Sequence, residues 1–554
     1  PPSVDHPGGA PSPLSPDGAV GTDLSRLVDA LREAVDASGA PLPARPWLSP
    51  LPERILASAL AGERPDVGPR DLPLGLADLP HSQAQDPLVW RLDVPEHWAA
   101  VGGTGSGRTT LARLVATTAA ARLSPQDLHL YAVQAGGPLR DLADLPHTGA
   151  VAAHDDLPRV ARLVRRLAHE VGRRQRVMAE HGWGSLTEWR AAADGPTPPA
   201  LLLLVVDGWE SLTATAEAVD HGELVDQLLG LLRDGAAAGL RALVTGGREL
   251  LRGRVSTLTA RRLVLRLDDP ADALLAGLPS RPRVGTGARP AGRCVAAPSG
   301  TEVQLALPDI APHGGAPAPD LLTVPALPAT VAASSLPGGG AHDDTVWLGV
   351  GGDAVVPVGL DPVTDGRLWL VAGPPRSGRS TALRIVADGL LASGREVAVV
   401  GAGPGPLAAL GGADPRVQWV GADDTDLLVA ARRGNPRLAV LVDDADTLLD
   451  SAVEPVLREV ARLAERDGGL LVCATATSSL AAQYRGLAVE VARRRTGLLL
   501  GPLGAADGDL LGVRLPRHRG AGTGRGLLVR RGEVTEIQVA RPPQPSGVAP
   551  APAA

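Results

Sequence analysis

With 554 residues the chain is long enough for roughly three or four domains of ordinary size, each with its own core. Lysine is absent, so arginine supplies all 54 basic residues against 61 acidic ones; a net charge of −7 with no basic run excludes the footprint of a protein that grips nucleic-acid phosphates and argues against nucleic acid as a partner. Only two cysteines, Cys294 and Cys473, are present, which excludes a disulfide scaffold, and no apolar run reaches the ~18 residues that span a bilayer.

In chain order, the Pro/Gly/Ala-rich opening cannot bury enough apolar surface to order itself and reads as a flexible tail. "DLSRLVDALREAVDAS" then places Leu24, Leu27, Val28, Leu31 and Val35 on one helical face, and "GAPLPARPWLSPLPERI" continues as an extended strap. Residues 1–85 are therefore read as tail, helix and Pro-rich strap. Residues 86–310 and 346–542 each repeat one order of parts: apolar strand, Gly-rich loop, helix, further strand and helix alternation, an apolar run ending in Asp, and another ending in Thr. This predicts an α/β fold of two tandem domains, related by internal duplication, with mostly parallel sheets covered on both faces. The Pro/Ala/Gly-rich stretch 311–345 is a flexible linker between them, and 543–554 a second flexible tail. The first copy is longer between loop and acid; its extra run includes helical "VGRRQRVMAEHGWGSLTEWRAAADGP", where Ser185 and Glu188 have capping-box spacing.

The Gly-rich loops carry the chemistry. "GGTGSGRTT" (Gly102, Gly103, Thr104, Gly105, Ser106, Gly107, Arg108, Thr109, Thr110) and "GPPRSGRST" (Gly373, Pro374, Pro375, Arg376, Ser377, Gly378, Arg379, Ser380, Thr381) both fit the phosphate-binding pattern G-x-x-x-x-G-K-[ST], except that Arg replaces Lys. Small glycines let backbone N–H groups curl around phosphates at a helix N-terminus. Each loop sits between an apolar strand and a helix, the context the motif requires. Arg brings a planar fork where Lys brings a compact point charge, so binding is expected to survive better than catalysis. Thr109 and Ser380 keep the hydroxyl that ligates Mg²⁺, and Asp207 and Asp443 end "LLLLVVD" and "LAVLVD" as Walker B acids that hold the same ion. The next residue normally activates the attacking water. In the first copy it is Gly208, which has no side chain; in the second it is Asp444, a candidate base one methylene shorter than Glu. Glu210 is a substitute acid, with a helix-cap or surface role as the alternative. Thr245 and Thr475, at the tips of the next strands, are candidate γ-phosphate sensors, with ordinary strand-end threonines as the alternative. Arg-rich 259–267 and 491–500 offer an arginine finger in trans or solvated strand starts.

Several stretches resemble the FtsK/SpoIIIE-type ATPases, and within them the C-terminal ATPase modules of the EccC family of type VII secretion proteins: "LLVVDGW", "RVMAEHGWGSLTEWR", "RLVLRLDDPADALLAGLP", "VPVGLDPVTDGRLWLVAGPPRSGRSTAL" and "DGDLLGVRLPRHRG". The likeness runs from about Val28 to Ala540. It implies RecA-like domains that bind ATP and Mg²⁺, small helical WXG100-type secreted proteins as partners, other EccC modules and a membrane core complex as neighbours, and assembly as a homo-oligomer. It also implies a cytoplasmic chain tethered at the inner membrane through a further region or a partner chain. The expectation is a nucleotide-binding, substrate-recognition and regulatory role with weak or absent hydrolysis; an active protein translocase and a DNA translocase are the alternatives.

Overall fold

The computed structural model describes residues 22–39, 48–60, 67–269, 271–279, 290–338, 344–403, 407, 410, 414–515 and 522–543. Most of the two expected tails lies outside these residues. The chain divides into two compact units, residues 1–50 with 79–85, and residues 51–78 with 86–554. The first contains the expected helix, Asp23–Ser38, capped where Thr22 Oγ1 accepts the Ser25 N–H at 3.1 Å and ended by Gly39 at φ 63°. Leu24, Leu27 and Leu31 on its apolar face are exposed.

The second unit holds the body of two ten-stranded sheets. The first comprises β1 (Asp71–Leu79), β2 (Ala84–Arg91), β3 (Trp98–Val101), β4 (Leu128–Gln134), β5 (Thr148–Ala153), β6 (Leu201–Asp207), β7 (Leu240–Gly246), β8 (Arg261–Val264), β9 (Arg293–Ala297) and β10 (Thr301–Leu305). The second comprises β11 (Val346–Gly351), β12 (Val356–Leu360), β13 (Leu368–Gly373), β14 (Val397–Val400), β15 (Val417–Val420), β16 (Ala439–Val442), β17 (Leu470–Ala476), β18 (Gly497–Leu500), β19 (Arg525–Arg530) and β20 (Glu533–Val539). Their orders are β2-β1-β10-β9-β8-β3-β7-β6-β4-β5 and β12-β11-β20-β19-β18-β13-β17-β16-β14-β15, the same path walked twice. In sheet order, the strands from β5 to β8, or β15 to β18, run parallel, and β9, β10 and β1, or β19, β20, β11 and β12, extend the sheet antiparallel. The first sheet thus begins at Asp71, within the stretch read from composition as tail and strap. β4, β6 and β7 are buried at every position, as expected of parallel strands covered on both faces. In β13 the alternation is visible: Leu368, Leu370 and Ala372 join one core, Trp369 and Val371 the core on the other face.

The longer run in the first copy forms the helix Leu157–His181, capped by Asp156 and ended by Gly182 at φ 74°, which buries Val160, Leu163, Val164, Leu167, Val171 and Met178. The short helix after it has half of the expected capping box. Ser185 Oγ accepts from Glu188 N–H at 3.2 Å, but the Glu188 carboxylate reaches back to the N–H of Gly184, one residue beyond the cap.

The linker departs from the flexible reading over residues 311–338. His313 N–H donates to Ala120 O at 2.8 Å and Val324 N–H to Gly149 O at 3.0 Å. Arg166 donates to Thr323 O, Arg159 to Val324 O, and Arg525 of the second sheet to Leu327 O and Pro328 O. A Pro-rich segment has little conformational entropy to lose and exposes carbonyls without matching donors, so arginine forks pin it. Two parallel bridges, Leu56 to Leu307 and Ala332 to Arg541, tie an equivalent strap to the chain just beyond β10 and just beyond β20. The helix Leu157–His181 adds further ties to the second sheet, Arg165 to Asp353 at 2.7 Å and Arg162 to Gly352 O at 3.2 Å. No helix among the described residues is long and apolar enough to cross a membrane.

Candidate functional site

Sheet order decides which side chains meet. β3, β7 and β6 lie side by side and parallel, so their carboxyl ends put the first Gly-rich loop, Thr245 and Asp207 on one edge. Gly102 N–H donates to Gly246 O at 3.0 Å and Gly208 N–H to Thr245 O at 3.2 Å, fastening loop, sensor strand and acid strand together. β13, β17 and β16 repeat the arrangement.

In the first loop Gly105 at φ 69° and Gly107 at φ 104° take left-handed turns that glycine adopts without strain. The position matching Gly105 in the second loop is Arg376, at φ 65°, a conformation costing a non-glycine residue about 1 kcal/mol. Pro374 and Pro375 also remove two backbone N–H donors there. Both loops hand over to helices, Arg108–Arg122 and Arg379–Ala392, whose first N–H groups face the loop. Three buried polar atoms at these loops have no partner among the described residues: Ser106 Oγ, Ser377 Oγ and Arg379 Nη1. Orphaned donors beside a helix N-terminus fit an anionic ligand such as a nucleotide phosphate.

Around the acids the two copies differ. Asp207 is buried and accepts from Thr109 Oγ1 at 2.7 Å and from Thr245 Oγ1 at 2.5 Å, so the expected metal pair and the expected sensor share one carboxylate. Asp443 accepts from Ser380 Oγ at 3.1 Å and 3.2 Å, but Thr475 turns instead to Asp446, at 3.3 Å. Burial, reinforced by the neighbouring Asp444 charge, pushes the Asp443 carboxyl above the ordinary carboxylate range. A hydroxyl and a carboxylate oxygen at each site are donors of the type Mg²⁺ takes, and a divalent ion would relieve the Asp443–Asp444 repulsion.

The P-loop arginines point into carboxylates. Arg108 Nη1 lies 2.6 Å from Glu210 Oε1, whose other oxygen accepts Gly247 N–H at 3.1 Å. Arg379 Nη2 lies 2.9 Å from Asp444 Oδ1. Glu210 thus occupies the role that Asp444 has in the second copy, from two residues further along the chain. The position after each Walker B acid is left-handed in both: Gly208 at φ 89°, Asp444 at φ 44°. A Cβ on Gly208 would stand 2.7 Å from Ala135 Cβ, so that site has no room for a base.

The starts of the arginine-rich runs lie elsewhere. Arg261 pairs with Glu96 at 3.5 Å, and Arg262 donates to Thr259 O and Ser256 O at the amino end of β8, away from the loops. Arg494 pairs with Glu465 at 3.4 Å ahead of β18. Arg261, Arg262 and Arg494 are thus turned away from the Gly-rich loop of their own domain, whereas Arg266, also in the first run, is not.

Arg266, the last arginine of the first run, lies against the loop of its own domain, and sequence reasoning missed the acid two residues beyond it. Arg266 Nη2 donates to Thr104 O at 3.0 Å, Gly103 N–H donates to Arg266 O at 2.8 Å, and a Cβ on Gly103 would meet Asp268 Oδ1 at 2.0 Å. A carboxylate therefore lies against the first loop; the only signal for it was the family-like stretch "RLVLRLDDPAD". Beside each loop-bearing helix is a cavity. The first, about 450 Å³, is lined by Gly107, Thr110, Leu111 and Gln304 with Glu53 and Arg54 from the strap. The second, about 310 Å³, is lined by Gly378, Thr381, Thr523, Gly524 and Arg541.

Residues 68–295 match the family model described as the FtsK/SpoIIIE family. That match falls within the first of the two sheet-bearing regions. It is 29% identical over 349 residues to the ESX secretion system protein EccC of Thermomonospora curvata, an alignment covering 57% of this chain and 25% of EccC. It is 26% identical over 234 residues to the type VII secretion system protein EssC of Staphylococcus aureus, covering 41% of this chain and 16% of EssC. The chain therefore spans a quarter or less of the curated relatives it matches. A solved structure of Thermomonospora curvata EccC, ATPases 2 and 3 in complex with a signal sequence peptide, superposes with a TM-score of 0.64 at 24% identity, covering 89% of this chain and 97% of that one. The likeness shows the fold: two α/β domains in tandem, the first being the one that the family model matches.

Proposed function

We propose that this chain supplies nucleotide-binding, substrate-recognition and regulatory modules of a type VII secretion ATPase of the EccC kind, with weak or absent hydrolysis of its own. The observation that carries this reading is the state of the water-activating position. In the first domain it is Gly208, left-handed and without space for a side chain, and in the second it is Asp444, already paired with the P-loop arginine. General-base catalysis typically contributes 10²–10⁴-fold, so a site without a free base binds ATP and hydrolyses it poorly.

Gly102–Thr110 and Gly373–Thr381 would cradle the phosphates of ATP, Thr109 with Asp207 and Ser380 with Asp443 would hold Mg²⁺, and Thr245 and Thr475 would sense the γ-phosphate. The cavities beside the two loop-bearing helices would take the nucleoside. Bound Mg²⁺ supplies charge neutralisation at the phosphates. The chain would dock on the cytoplasmic side of a membrane core complex, among other modules of the same kind, and receive small helical WXG100-type proteins; the EccC neighbour holding a signal sequence peptide supports this assignment. The Asp443–Asp444 pair favours one second reading, a slow ATP-driven translocase whose catalytic site is the second domain.

Steady-state turnover of MgATP by the full chain separates the two. The regulatory reading expects a rate near background; turnover above about 1 s⁻¹, the low end of ordinary enzyme rates, would establish an active ATPase. Titration with C-terminal peptides of WXG100-type proteins tests recognition, and no binding at millimolar peptide would remove that part of the assignment.

A further inference from the structure

The two P-loop arginines raise a question that composition does not answer. A chain without lysine would carry arginine at these positions by bias alone, but bias says nothing about what the guanidinium touches. In both domains it touches a carboxylate, and the carboxylate comes from different places: Glu210, in the first turn of the helix Trp209–Asp220, and Asp444, the residue directly after the Walker B acid. Gly208 could not serve in the first domain, because a side chain there would collide with Ala135. One spatial role has been filled from two sequence positions.

We propose that each arginine–carboxylate pair is a latch selective for the γ-phosphate: carboxylate and γ-phosphate compete for the P-loop arginine, and the pair opens only when a triphosphate replaces the carboxylate as the arginine's partner. This rests on the nucleotide-binding reading above. The oxygens of a carboxylate and of a γ-phosphate both accept from the planar fork of the same guanidinium, so they compete for it. A diphosphate has no group to take the carboxylate's place and leaves the latch shut. The Arg108 and Glu210 side chains are 19% and 32% exposed, and those of Arg379 and Asp444 15% and 49%, so the first pair is the better shielded from solvent. Glu210 also holds Gly247 N–H, at the start of segment 247–251 after the sensor strand. Opening the first latch therefore frees that segment as well, whereas Asp444 makes no equivalent bond among the described residues.

The test is calorimetric titration of the full chain with MgATP and with MgADP, for wild type, Glu210→Gln and Asp444→Asn. Neutralising the carboxylate while keeping its shape should tighten MgATP about tenfold at the first site and by less at the second, with MgADP changed less than twofold, on the scale of one charge-assisted hydrogen bond. Glu210→Asp, which keeps the charge but withdraws it by one methylene, should move MgATP affinity in the same direction if the fold is intact by thermal melt. MgATP binding unchanged or weakened in Glu210→Gln would overturn the latch while leaving nucleotide binding in place. No binding of either nucleotide at millimolar concentration, in wild type or any variant, would remove the nucleotide reading itself.

Discussion

In the first domain Asp207 is wedged between the hydroxyls of Thr109 and Thr245, and the P-loop arginine is tied to the sensor-strand loop through Glu210 and Gly247. In the second, Asp443 accepts from the Ser380 hydroxyl, Thr475 has turned to Asp446, and Arg379 is held by the half-exposed Asp444. The same strand order thus supports a closed hydrogen-bonded circuit in one copy and an open, charge-crowded cluster in the other. A fully satisfied polar network holds one arrangement, whereas two crowded carboxylates are poised for a cation. On the proposed reading the first domain would serve structure and coupling, and the second would be the place where residual chemistry is found.

The largest expected effect attacks the division of labour. Arg379→Lys with Asp444→Glu should raise MgATP turnover about 10²-fold over wild type, because it restores a compact phosphate charge and a longer base together. Arg108→Lys should leave turnover where it was, since Gly208 provides no base; a gain from Arg108→Lys of similar size would erase the distinction. Next is Gly208→Ala, which forces a left-handed non-glycine residue against Ala135 and should destabilise the first domain by about 3 kcal/mol in denaturant unfolding. Asp444→Ala, where the backbone already accepts a side chain at φ 44°, should cost far less.

Smaller effects sharpen the contrast between circuit and cluster. Thr245→Val strands a buried Asp207 oxygen and should cost about 2 kcal/mol, while Thr475→Val, whose bond to Asp446 is long, should cost about 1 kcal/mol or less. The smallest concerns pH. Asp443 has a native pKa raised above its unfolded value, so the native state holds its proton more tightly; its contribution favours folding below the unfolded pKa and is lost as pH rises through the native one. At neutral pH Asp443→Asn should therefore raise Tm slightly, by about 1–2 °C, and abolish any Tm increase produced by Mg²⁺ at that site. A lowered Tm in Asp443→Asn would show that the charged form is the stabilised one.

Much of this was legible in the chain itself. Glycines flanked by an apolar strand and a helix identify both loops, and apolar runs ending in Asp207 and Asp443 identify both acids, because turn chemistry and burial on both faces of a parallel strand are local properties. What was not legible is every contact made across the sheet. The sequence leaves Glu210 between a substitute for the missing base and a helix-cap or surface role, does not single out Asp268, and marks the linker as flexible from its composition, although arginines from both domains pin it.

Composition, spacing and strand-loop-helix order alone determined that two α/β domains lie in tandem, that each has a phosphate-loop motif with arginine for lysine, and that the first lacks a base beside its acid. Tertiary structure decided the rest. The order β3-β7-β6 brings residues some hundred positions apart onto one edge. Helix packing aims Glu210 and Asp444 at their arginines, and the left-handed backbone after each acid sets which side chain can stand there. The physical reason is range: hydrogen-bonding and steric preferences within a few residues are written in adjacent letters, whereas the partner of a guanidinium is whatever carboxylate the sheet and its covering helices deliver within about 3 Å.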